Sequence, residues 1–197
     1  MIALLDYGAG NVGSVLKAVR YLGYEAQPIE QPGLLADTEK VILPGQGHFG
    51  TMMERIKERG LLEPLRRRIT ANKPYLGICL GLQALYEASD EAPEIPGLGF
   101  LGGRVKRFEG IDKVPQVGWN QLQIRRSEKL FKGVAEGSFV YYCHSYYGHV
   151  TQDTVGVTEY GQTYAAGIER GNVWAVQFHP EKSGEVGLKV LKNFLEL

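Results

Sequence analysis

The chain has 197 residues, a length that fits one domain with a sizeable core better than two. Hydrophobic residues make up 44% of it and charged residues 22%, and 22 basic side chains cancel 22 acidic ones; this excludes a wholly disordered chain and gives no support to a nucleic-acid-binding surface. Cys79 and Cys143 are too few for a disulfide scaffold and lack zinc-site spacing, no basic run precedes the apolar residues after Met1, and no stretch nears 18 continuous apolar residues, so a reducing, cytoplasmic setting without a membrane span is expected.

Short apolar runs alternate with helix-compatible segments through the first half, which predicts α/β crossovers around a mostly parallel sheet. Ile2 to Leu5 reads as the first strand, a helix capped by Asn11 runs to Tyr21, and Tyr24 to Ile29 and Lys40 to Leu43 follow as strands. A helix within Thr51 to Ile69 buries Met52, Ile56, Leu62, Leu65 and Ile69, with Pro64 as a kink or division. Tyr75 to Ile78 is a buried strand, and Leu80, Leu82, Ala84 and Leu85 continue at helical spacing. After Pro96, aromatic and β-branched runs at Phe100 to Phe108, Phe139 to Cys143, Thr154 to Thr158, Gln162 to Ile168 and Val173 to Phe178 predict a β-rich, antiparallel addition. Glu185 to Phe194 reads as a closing amphipathic helix.

The run Gly8-Ala9-Gly10-Asn11-Val12-Gly13 has dinucleotide-binding spacing, with Glu30 at the distance of a ribose-binding acid. Tight packing of strand on helix explains the same glycines without a ligand, and that reading is preferred.

Gly77-Ile78-Cys79-Leu80-Gly81 joins a strand to a helix, where glycines permit the sharp turn that exposes a nucleophile; inert packing of a small apolar thiol is the competing reading. A free thiol near neutral pH is mostly protonated, so reactivity needs a neighbouring base. His179 follows the Val173 to Phe178 run, and Glu181 stands two residues on, so the three compose a Cys-His-Glu arrangement. Oxyanion donors are available from the Leu80 N–H and from the strand exit Pro44-Gly45-Gln46-Gly47. His48 reads either as support for the Gly45 to Gly47 loop or as a solvent-facing or locally hydrogen-bonded residue, His149 carries less functional signal, and acyl transfer by thiol, imidazole and amide donors needs no metal or cofactor.

Together, Gly77-Ile78-Cys79-Leu80-Gly81-Leu82-Gln83 and Gln177-Phe178-His179-Pro180-Glu181 resemble the triad glutamine amidotransferases. Asp6 to Asn11, Gly118-Trp119-Asn120, His144-Ser145-Tyr146 and Lys182-Ser183-Gly184 extend the likeness over nearly the whole chain. The resemblance implies one domain, 1–197, with a three-layer class I glutamine amidotransferase fold whose central, mostly parallel sheet carries a β-rich addition. It implies glutaminase chemistry with Cys79 as nucleophile, His179 as base and Glu181 as its orienter, and Gln83, Ser145 and Tyr146 against bound L-glutamine.

The branch that is most similar feeds ammonia to a separate (β/α)8-barrel cyclase, in a 1:1 heterodimer, for formation of imidazole glycerol phosphate and aminoimidazole-carboxamide ribotide in histidine biosynthesis. Asn11, Trp119, Asn120, Tyr141 and Lys182 are then expected on the partner-facing side. Two departures from the family pattern are Gln116, where many relatives have His, and Cys143, where a plain apolar residue is common; an interface hydrogen bond and strand packing are their expected roles. A glutaminase serving another synthase, such as one in pyridoxal phosphate biosynthesis, and a flavodoxin-like binding module are the alternatives.

Overall fold

The computed structural model describes residues 1–8, 10–35, 38–126 and 129–197, so Ala9 of the glycine-rich run lies outside the described residues. The chain opens with β1 (Ile2–Leu5), α1 (Val12–Tyr21), β2 (Ala26–Ile29), α2 (Pro32–Leu35), β3 (Lys40–Gly45), α3 (Phe49–Glu58) and α4 (Leu62–Thr70). It continues through β4 (Tyr75–Cys79), α5 (Leu80–Gln83), β5 (Tyr86–Ser89), β6 (Leu101–Arg107), β7 (Gln116–Gln121) and β8 (Gln123–Ile124). The last part holds β9 (Phe139–His144), β10 (Tyr146–Gly148), β11 (Thr154–Tyr160), β12 (Gln162–Arg170), β13 (Val173–Val176), a 3-10 turn at Pro180–Lys182 and α6 (Gly184–Leu195).

The main sheet has the order β2-β1-β3-β4-β13-β12-β11-β8. Its first five strands are mutually parallel, and β12, β11 and β8 extend it antiparallel. Both faces of the parallel part are covered, which is why β1, β4 and β13 read as unbroken apolar runs. Ala3, Leu5, Val41, Leu43 and Tyr75 point to the side packed by α3 and α4, while Ile2, Leu4, Ile42, Leu76 and Ile78 point to the side packed by α1 and α6. Helix α1 presents Val15, Ala18 and Val19 to that core, and α6 presents Gly187, Val190, Leu191 and Phe194, each set at the i, i+3, i+4 spacing of one helical stripe. The outcome is the expected three-layer arrangement. On its two faces lie the small sheet β10-β6-β5 and the antiparallel ribbon β7-β9, the latter burying Val140 and Tyr142.

Three details differ from the sequence expectation. The Thr51 to Ile69 segment is two helices divided at Gly60, whose φ of 69° needs glycine, and Pro64 sits harmlessly in the first turn of α4. The helix after Cys79 is a single turn, because the Leu85 carbonyl accepts from the N–H groups of Phe100 and Leu101 and the chain enters β5. The added strands are not uniformly antiparallel: β5 and β6 pair in parallel.

Candidate active site

Three adjacent parallel strands, β3, β4 and β13, end at one edge of the main sheet. Their register pairs Gly45 with Cys79 and Val176 with Ile78, so the segments that follow are brought together there by the backbone ladder alone. The carboxyl ends of parallel strands are where open α/β sheets bind ligands.

Cys79 leaves β4 at φ 54° and ψ −106°, in the left-handed region that a side chain seldom occupies, and α5 starts at the next residue. Glycines at Gly77 and Gly81 allow the turn. A Cβ on Gly77 would come 2.3 Å from the Gly81 carbonyl oxygen, and one on Gly81 would come 2.1 Å from that of Leu43. The strained turn directs the thiol to the wall of a cavity of about 290 Å³ while the residue stays buried.

His179 reaches the same cavity from the loop after β13, where its backbone N–H donates to Tyr141 O at 2.9 Å. Its Nδ1 lies 3.0 Å from Glu181 Oε1, and both side chains are out of water, at 2% and 0% exposure. Burial alone would lower the His179 pKa. The negative charge on Cys79, a hydrogen bond with it, and the hydrogen bond to and charge of Glu181 outweigh that penalty and push it up to about 10. The surroundings thus favour the protonated imidazole, and the arrangement sets a proton-carrying group beside a buried thiol.

The sequence assigns Asn11 to capping α1 or to a partner surface. Its side chain makes no cap hydrogen bond; Nδ2 instead donates to Glu181 Oε1 at 3.0 Å, so the carboxylate oxygen that holds His179 is itself held from α1. Glu181 Oε2 is buried without a partner among the described residues.

The segments expected to supply oxyanion donors lie near Cys79. A Cβ on Gly45 would meet Leu80 Cβ at 2.6 Å, so the exit of β3 lies directly against the start of α5. Gln46, Gly47 and Leu80 line the cavity; Gly45 does not, and Gly47 has a φ of 95° that glycine tolerates. His48 is accounted for locally, since its Nδ1 accepts from the N–H of Gly50 at 3.1 Å and caps α3.

Gln83, Ser145 and Tyr146, which the resemblance sets against a ligand, line the cavity. Two more groups do so or support it without having been singled out. Glu91 brings a carboxylate to the wall, its Oε2 accepting from Phe49 N–H at 2.7 Å. Gln177, fully buried, brings its Nε2 to 3.6 Å from Cys79 Sγ. Glu91 stands in a polar run that carries no motif; Gln177 lies inside the His179 motif, two residues from the imidazole, and its side chain would draw attention only once its strand is set beside β4.

Outside the cavity, the ribbon β7-β9 turns one apolar face outward. Cross-strand pairs Val117 with Cys143, Trp119 with Tyr141 and Gln121 with Phe139 lie on it; Trp119 is 55% exposed and Phe139 53%. Lys182 Nζ sits 5.8 Å from the Tyr141 ring centroid, and Trp119 packs edge-on against that ring. Lys182 and Cys143 also line the cavity, so the mouth adjoins this face. Asn120 sits at its margin with its amide donating to Glu159 O at 2.9 Å.

Two expectations are corrected here. Cys143 is exposed and does not fill strand packing. Gln116 is buried, accepting from Tyr164 OH at 2.9 Å, and makes no surface hydrogen bond. The dinucleotide reading also loses its acid, because Glu30 pairs with Arg59 at 2.9 Å while Arg55 and Arg59 lie over Gly8. No group of three or more His, Cys, Asp or Glu among the described residues is placed to hold a metal ion, and no described helix is long and apolar enough to cross a membrane.

Residues 3–197 match the class-I glutamine amidotransferase family. The chain is 46% identical, over all of its own length and 94% of the other, to the imidazole glycerol phosphate synthase subunit HisH of Moorella thermoacetica. It has the same identity, over all of its length and 98% of the other, to the subunit of that name from Methanothermobacter thermautotrophicus. Two solved structures share the fold, each covering 99% of this chain and 97% of the other: a glutamine amidotransferase at TM-score 0.77 and 22% identity, and PurLQS from Thermotoga maritima at 0.76 and 21%.

Proposed function

Because this chain belongs to the class-I glutamine amidotransferase family, we propose that residues 1–197 act as one glutaminase domain with Cys79 as nucleophile, serving a separate cyclase subunit. The reaction is hydrolysis of L-glutamine to L-glutamate and ammonia, the ammonia being supplied for imidazole glycerol phosphate synthesis in histidine biosynthesis. The observation that carries the reading is the buried Glu181–His179 pair beside Cys79 on one cavity wall.

The Cys79 sulfur attacks the side-chain amide carbon of glutamine, and the developing oxyanion takes hydrogen bonds from the Leu80 N–H and from the Gln46 or Gly47 N–H. His179 delivers its proton to the leaving nitrogen, so ammonia departs and a glutamyl thioester remains. Water then gives a proton to His179 as it attacks the thioester, which releases glutamate and restores the starting pair. Glu181, held by Asn11, keeps the imidazole aimed through both steps. At the far end of the ligand, the Glu91 carboxylate and the unpartnered buried Gln83 Oε1 are acceptors suited to an α-ammonium group, with Ser145 and Tyr146 beside them.

The partner is a (β/α)8-barrel cyclase that docks 1:1, in the cytoplasm, on the face carrying Trp119, Tyr141 and Lys182. That face adjoins the cavity mouth, so docking covers the exit through which ammonia leaves, and Asn120 stands at the rim. Apolar contact at the centre with a cation at the edge is the composition of a specific interface. The test mixes the chain with the cyclase and measures glutamate release and imidazole product together. Intact protein should form both, and Cys79→Ser neither, with the acyl adduct on Cys79 seen by mass spectrometry only in intact protein. Equal turnover by the Cys79→Ser variant would overturn the mechanism.

A further inference from the structure

We propose that Gln177 is a catalytic residue of this site: its carboxamide N–H donates to the Cys79 sulfur and supports the thiolate, with its orientation dictated by a one-way relay of hydrogen bonds from Tyr146 through Gln83. The proposal rests on the glutaminase reading only for the purpose of the thiolate; the relay itself is a matter of geometry.

The relay begins at a group with no choice. The Tyr146 carbonyl oxygen can only accept, and Gln83 Nε2 lies 2.8 Å from it, so the nitrogen of the Gln83 amide must face that way. The same nitrogen lies 3.1 Å from Gln177 Oε1 and donates its second hydrogen there. Oxygen of Gln177 is thereby fixed toward Gln83, which leaves Nε2 toward Cys79, 3.6 Å from Sγ and within reach of a hydrogen bond to sulfur. A flipped Gln177 amide would set two NH2 groups against each other and turn a carbonyl oxygen toward a negative sulfur.

Both amides are nearly dry, Gln177 at 0% and Gln83 at 2% exposure, so water cannot restore a bond that either loses. The location follows from topology: Val176 pairs with Ile78 in the parallel ladder, so the next residue along β13 stands beside Cys79. His144 braces the origin of the relay, its Nδ1 lying 2.8 Å from the same Tyr146 oxygen. His179 and Gln177 thus approach the sulfur from one short segment, one as a proton carrier and the other as a fixed neutral donor.

Hydrogen bonds to an ionised acceptor are stronger than those to its neutral form, so loss of this donor should slow reaction of the Cys79 sulfur about tenfold near neutral pH. The test is the rate of Cys79 alkylation by iodoacetamide in the isolated chain, followed by peptide mass spectrometry with exposed Cys143 as internal control. For Gln177→Met we expect about tenfold slower modification of Cys79 at pH 7, a rate equal to the parent's at pH 10.5, and no change at Cys143. Gln177→Glu, which keeps the shape and the bond from Gln83, should be slower still at pH 7, and it carries the test if the Met variant does not fold. A parent-like rate at pH 7, or equal slowing at both pH values as simple misfit would give, overturns the proposal. Because no glutamine is present, a pH-selective loss stands even if glutamate release proves independent of Cys79, an outcome that would sink the glutaminase reading alone.

Discussion

Replacing Asn11 by Leu removes one of the two donors on Glu181 Oε1 while keeping a similar volume and admitting no water. The other donor is His179, and Glu181 Oε2 has no partner among the described residues, so this wholly buried carboxylate would rest on its bond to the imidazole alone. A hydrogen bond to a charged acceptor contributes about 1.5–3 kcal/mol. At about 1.4 kcal/mol per factor of ten, its full loss from the transition state lowers kcat about 10- to 150-fold. The assay is steady-state glutamate release at saturating glutamine over a range of cyclase concentrations, extrapolated to saturating partner. The expected result is a kcat defect that excess partner does not repair, together with slower Cys79 alkylation in the isolated chain. A variant with normal kcat and only weaker partner binding would show that Asn11 serves the docking face, as the sequence resemblance implies, and would refute its role in holding the triad.

His144 gives a pH signature in folding. Burial, opposed by its hydrogen bond to Tyr146 O and reinforced by the charge of His179, lowers its pKa to about 4 from an ordinary 6.5. A depressed histidine contributes fully above pH 6.5 and loses its contribution as pH falls through 4, because the unfolded chain takes up the proton first; the shift corresponds to about 3 kcal/mol. Urea unfolding of the parent and of His144→Gln between pH 7 and 4 should give stability curves that converge by about that amount, whereas parallel curves would contradict the assignment. Gly81→Ala should destabilise the fold by about 1–3 kcal/mol or more and abolish glutamate release, since its Cβ would lie 2.1 Å from a backbone oxygen that cannot yield without parting β3 from α5. A stable, active Gly81→Ala protein would mean that this close approach is dispensable.

The proposed triad is legible in the sequence because its members lie in two short segments whose glycines and strand ends mark the turns they occupy. Cys79 follows an apolar run and stands between Gly77 and Gly81; His179 and Glu181 flank Pro180 just after another such run. The central strands are legible for a related reason, since burial on both faces leaves them continuously apolar. What joins the two segments is sheet order, and that is written nowhere locally. The bond between Asn11 and Glu181 spans 170 positions, and Gln83 meets Gln177 across 94, because β1, β4 and β13 share one sheet edge. Strand β5 escapes notice because Tyr86 and Ser89 are buried among small and polar neighbours in a run with helical spacing. The outward turn of Cys143 is likewise a matter of ribbon phase: β9 alternates, and Val140, Tyr142 and His144 claim the inner face.

The ribbon's phase also separates the chain's two indoles. Trp174 is sealed inside at 1% exposure and edge-on to Phe194, while Trp119 stands in solvent on the outer face. A collisional quencher such as acrylamide therefore reaches one emitter and spares the other, which gives the molecule an intrinsic optical gauge of that face, readable without any label attached near the Cys79 sulfur.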